Sequence, residues 1–77
     1  MKLHVELEDG KAEDVFVPAA AIRDGQNLEL DGVDLTIFLA WWAMHRRGLT
    51  DIEDWSEFAY VASVMPAEDS DPKAPTT

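Results

Sequence analysis

Apolar and polar residues alternate at the start of the chain, with Met1, Leu3, Val5 and Leu7 against Lys2, His4, Glu6 and Glu8. A period of two predicts a half-buried strand. Asp9-Gly10 is a strong turn signal, and a second β-prone run follows from Asp14 to Val17. Burial argues the register. A two-residue loop would set Asp14 opposite Val5 on the core face. A three-residue loop, Glu8-Asp9-Gly10 with the glycine left-handed, sets Val15 opposite Leu3 and Val17 opposite Met1. A slip of one residue exchanges the two faces, so the three-residue loop is preferred. Pro18 suits the first position of a helix, and Ala19, Ala20, Ala21 and Ile22 favour one or two helical turns ending at Asp24-Gly25. Leu28 and Leu30 alternate with Asn27, Glu29 and Asp31, which allows a short third strand before the Asp31-Gly32 turn.

From residue 34 the period changes. Leu35, Phe38, Leu39 and Trp42 recur at i, i+3, i+4 and i+7, and Ile37, Trp41 and Met44 repeat the spacing on an adjoining face. The apolar arc of this helix, predicted over 33–47, is wider than the ~100° stripe of a surface helix. Gly48 suits the position just after its end, and Leu49 and Met44 stand where a Schellman motif makes its hydrophobic contact. Thr50-x-x-Glu53 reads as a capping box for a second helix, with Ile52, Trp55, Ala59 and Ala62 as its apolar stripe and Pro66 as its end. So short a turn makes the two helices antiparallel. The expected fold is α+β: an N-terminal β-hairpin packed on a C-terminal antiparallel helical hairpin. Residues 1–65 form one small domain. Residues 66–77, polar and Pro-rich, form a disordered tail.

At 77 residues without cysteine, the chain is small enough to need help from oligomerisation or a partner. Disulfides and thiolate metal sites are excluded. Sixteen acidic residues against six basic ones give a net charge of −10, which disfavours phosphate backbones and anionic membranes as partners. MKLHVELEDG carries acids and no continuous apolar stretch, so a signal peptide is not expected. The apolar run Ile37 to Met44 is far short of the ~20 residues that span a bilayer. A soluble intracellular protein is expected.

Candidate chemistry is sparse. His4 and His45 are isolated, so no metal site is expected. Asp-Gly occurs at 9–10, 24–25 and 31–32, but none of the three fits a calcium loop. No carboxylate pair, nucleophile with a neighbouring histidine, or phosphate-binding glycine loop stands out. No enzyme activity and no cofactor are expected. His45-Arg46-Arg47 falls at a helix C-terminus, where the macrodipole favours cations by ~0.3–1 kcal/mol each. Acids at 51, 53 and 54 stand ready to pair with the arginines across the turn. Trp41 and Trp42 point about 100° apart on a helix. Either a wrapping core takes both, or one of them lies at an interface, where tryptophan is enriched. Ile37, Trp41, Trp42 and Met44 are therefore the candidate partner-binding residues.

The stretch from Leu39 to Ala59 resembles the small tail assembly chaperones of long-tailed bacteriophages, especially those with actinobacterial hosts. The matching residues are Leu39, Ala40, Trp41, Ala43, Arg46 and Gly48, then the acidic segment Asp51 to Asp54, then Trp55 and Phe58. The resemblance implies an N-terminal hairpin followed by helices. It also implies binding of the tape measure protein, with tail tube protein as a further candidate partner. The expected location is the cytoplasm of the infected bacterial host, outside the mature virion. Self-association is expected from the small core and the wide apolar arc. A competing reading is a small acidic adaptor or inhibitor. Nucleic-acid mimicry is disfavoured, because the acids are spread over turns, caps and both predicted helices instead of lining one face.

Overall fold

The protein's structure, a computed structural model, describes residues 1–67. The chain runs β1 (Lys2–Leu7), β2 (Ala12–Phe16), α1 (Ala19–Asn27), α2 (Gly32–Arg46), α3 (Trp55–Phe58) and β3 (Ala62–Pro66). The three strands form one antiparallel sheet in the order β2-β1-β3, with β1 in the centre. The fold is α+β.

The hairpin takes the register that burial demands. Leu3 lies opposite Val15, and the Val17 amide donates to the Met1 carbonyl at 2.8 Å. Leu7 and Lys11 close a three-residue loop, and Gly10 holds φ at +94°. The Asp9 carboxylate accepts from the Lys11 amide at 3.0 Å, which braces the turn. Leu3, Val5, Val15 and Val17 all turn to one face of the sheet and are buried there.

Helix α2 crosses that face and supplies Phe38, Leu39, Ala40, Ala43 and Met44 to the core. It ends in the predicted Schellman motif: the Leu49 amide donates to Met44 (2.9 Å) and the Gly48 amide to His45 (3.1 Å), with Gly48 at φ +73°. Helix α1 starts one residue later than predicted, with Pro18 at its N-cap, and continues through Gly25 to Asn27. Gly25, predicted to end the helix, is instead buried within it. A Cβ there would lie 2.5 Å from Leu35 Cδ1 and 3.1 Å from Phe38 Cδ2, so the missing side chain lets α1 approach α2. Residues 28–30 form no strand. They close α1 with a second Schellman motif, in which Leu30 donates to Gly25 and Glu29 to Gln26.

The second long helix does not form. Thr50 Oγ1 accepts from the Ile52 amide in a local turn, and the helix starts at Trp55, capped by Asp54, whose carboxylate accepts from the Ser56 amide at 3.0 Å. After a single turn the chain becomes β3. The apolar stripe Ile52, Trp55, Ala59 and Ala62 suited a helix, but Ala62 and Val64 also alternate with Ser63 and Met65. The second edge of β1 decides between the two. Val64 lies opposite Val5 and Ala62 opposite Leu7, so the strand pairs that edge while covering the core. Tertiary pairing of this kind overrides local propensity. Pro66, predicted to open the tail, ends this strand, and the Ala67 amide donates to the Lys2 carbonyl. The rest of the predicted tail, 68–77, lies outside the described residues.

Candidate protein-binding surface

The wide apolar arc of α2 meets three neighbours: the sheet, helix α1, and the segment running through α3. Met44, expected at a partner surface, is only 1% exposed and belongs to the core. The two tryptophans are half-buried, and each ties a different neighbour to α2. Trp41 Nε1 donates to the Ile52 carbonyl at 2.7 Å, holding the segment after Gly48 against the helix. Its ring stacks on His45 with centroids 5.1 Å apart and meets Phe38 at 5.8 Å. Trp42 Nε1 donates to Asp24 Oδ2 on α1 at 3.1 Å, and Arg46 sits 4.8 Å from the centre of its ring. Across the turn it is His45, not an arginine, that faces Glu53, at 3.7 Å.

Ile37 lies elsewhere. With Val33, Thr36 and the β3 residues Ala62, Val64 and Pro66 it lines an apolar groove of about 530 Å³ between the N-terminal half of α2 and the strand. Val33, Ile37 and Trp41 are spaced by four, so they follow one another along the helix surface. Val33 is 74% exposed, and Ile37 and Trp41 are half-buried. Of the four predicted partner residues only Ile37 lines this groove; Trp41, one turn on, lies against the segment after Gly48. Trp42 faces α1 instead. Sequence periodicity missed Val33 and the groove, because the groove's other wall is β3, read there as helix.

The opposite face of the sheet is open. His4 Nδ1 lies 2.6 Å from Asp14 Oδ1 on β2, and its Nε2 lies 3.1 Å from Glu6 Oε2. The hydrogen bond to Asp14, then that to Glu6, raises the imidazole above its ordinary 6.5. Phe16 and Met65 stand exposed on the same face. A second cavity, of about 580 Å³, lies between the hairpin turn and residues 48–52, with apolar walls at Leu7, Leu49 and Ile52 and a rim carrying Glu8, Asp9 and Asp51. Among the described residues no group of three or more histidine, cysteine, aspartate or glutamate side chains is placed to hold a metal ion. No helix among them is long and apolar enough to cross a membrane.

No family model, curated protein or solved structure matches the chain. Within Leu39 to Ala59, most of the residues singled out from the sequence have structural duties. Leu39, Ala40, Ala43 and Phe58 are buried, and Gly48 supplies the left-handed turn. None of that set lines the groove; Trp41 stands one helical turn beyond Ile37, bonded to Ile52.

Proposed function

We propose that this protein is a tail assembly chaperone of a long-tailed bacteriophage. It binds the tape measure protein and keeps it soluble in the cytoplasm of the infected bacterium until the tail tube forms around it. The observation that carries the reading is the apolar groove at β3, with Val33 and Ile37 spaced by four along its helical wall. An amphipathic helix lays its apolar face into such a groove through contacts spaced by three or four residues, and a tape measure protein is a long helical chain. The resemblance over Leu39 to Ala59 supplies the biological setting. The net charge of −10 favours solubility of the complex and adds on-rate more than affinity.

Co-expression tests the reading. With this protein present, the tape measure protein is expected in the soluble fraction, and without it in the pellet. Equal solubility in both cases overturns the proposal. Val33→Glu is the diagnostic variant. Its side chain is exposed, so stability should change by no more than about 0.5 kcal/mol, while rescue falls several-fold. Arg47→Ala should leave rescue intact. Trp41→Glu would be less informative, because it also removes the bond to Ile52.

A further inference from the structure

The two edges of the sheet differ in kind. The β2 edge carries Glu13 and Asp14, and charge on an edge discourages pairing with another strand. The β3 edge, Ala-Ser-Val-Met-Pro, carries no ionisable group. On its other side β3 pairs with β1, and the Ala67-to-Lys2 and Glu8-to-Val61 bonds fix which residues face that neighbour. Hydrogen-bonded pairs alternate along an antiparallel ladder. Ser63 and Met65 therefore direct their backbone groups to β1, and Ala62, Val64 and Pro66 direct theirs outward. Their side chains line the apolar groove with Val33 and Ile37. An uncharged edge beside exposed apolar side chains is a template for one more strand.

The geometry points to a second copy of this chain as that strand's source, paired antiparallel through β3 about a two-fold axis at Val64. The strand is self-complementary in this register. Val64 of each copy exchanges both backbone bonds with Val64 of the other, and each Ala62 amide donates to the Pro66 carbonyl opposite. The missing amide hydrogen of Pro66 then costs only one acceptor per strand. Centring on Ser63 would pair Ala62 with Val64 alone and set Pro66 against Tyr60, which lies in a turn. No like charges meet within the paired strands, which matters when each copy carries −10. The product is a continuous six-stranded sheet with both α2 helices on one side. The two grooves then adjoin across the axis as one wider apolar groove between the two α2 helices, lined by Val33 and Ile37 of both copies. This inference stands on strand geometry and does not require the chaperone reading.

The absence of cysteine permits a test specific for register. In this arrangement Ser63 of one copy faces Met65 of the other in a non-hydrogen-bonded pair, with Cα atoms ~4.5 Å apart, close enough for a disulfide. Both side chains are exposed on the open face, so Ser63→Cys and Met65→Cys should each fold, as circular dichroism can check. On mild oxidation the mixture of the two full-length variants is expected to give several-fold more disulfide-linked dimer than either variant alone. The unsubstituted protein should sediment as a dimer at micromolar concentrations. A monomer at high micromolar concentration overturns the proposal. So does linkage of Ser63→Cys with itself at least as efficiently as in the mixture, which would mean a different register. Linkage that appears only after removal of residues 68–77 also overturns it, since the edge would then not be free for a second copy.

Discussion

Glu29 holds φ at +62° in the position after the α1 C-cap, where helices that end in a left-handed residue usually carry glycine. A Cβ in the left-handed region costs roughly 1–2 kcal/mol, and an acid beside a helix C-terminus meets the wrong end of the dipole. Glycine there would relieve both effects, offset by about 0.5–1 kcal/mol of added freedom in the unfolded chain. Glu29→Gly is therefore expected to stabilise the protein by about 0.5–1 kcal/mol, a rise in Tm of roughly 2–8 °C by thermal melting. His4 acts in the other direction with pH. Its folded pKa lies above 6.5, raised by the hydrogen bonds to Asp14 and Glu6. Its contribution to stability is fully present below the unfolded value and is lost as pH rises through the folded one. An NMR titration should place the His4 midpoint above 6.5, and His4→Gln should flatten the loss of Tm as pH rises past that value. A midpoint at or below 6.5 would contradict the assignment.

At the scale of elements, the α1–α2 contact turns on Gly25. Alanine would gain ~1 kcal/mol of helix propensity but meets Leu35 Cδ1 at 2.5 Å and the buried Phe38 ring at 3.1 Å, an overpacking of about 1–3 kcal/mol. Gly25→Ala is expected to be destabilising. Because Leu35 makes the closer contact, Gly25→Ala should cost less in a Leu35→Ala background. Denaturant melts of the four proteins in that cycle would measure the coupling, and strict additivity would count against the close approach. The same elements show what the sequence could reveal. The hairpin register was legible because alternation fixes a face, and the end of α2 because Gly48, Leu49 and Met44 make a local motif. The same register sets His4 opposite Asp14, a pair that the reading of His4 as isolated missed. The segment from Asp54 onward was not legible, because its residues fit both a helix and a strand, and the free edge of β1, some sixty positions away, decides. Nor were the duties of the tryptophans. Their bonds to Ile52 and Asp24 reach 11 and 18 positions along the chain, beyond what periodicity reports.

Over the whole molecule, the arc of α2 that exceeded the needs of a two-layer core is consumed by wrapping. Sheet, α1 and the α3 segment enclose the helix, and the surplus that reaches the surface is the row at Val33 and Ile37. The strand order carries a consequence of another sort, one of time. Of the described elements β1 is synthesised first and β3 last, yet they are neighbours. Between the end of β2 at Phe16 and the start of β3 at Ala62, a ribosome adding 5–20 residues per second takes about 2–9 s. For that interval the hairpin has one flank bare and the floor under α2 is incomplete. The speed of translation, and whatever shields a nascent chain, therefore bears directly on how much of this protein reaches its native state.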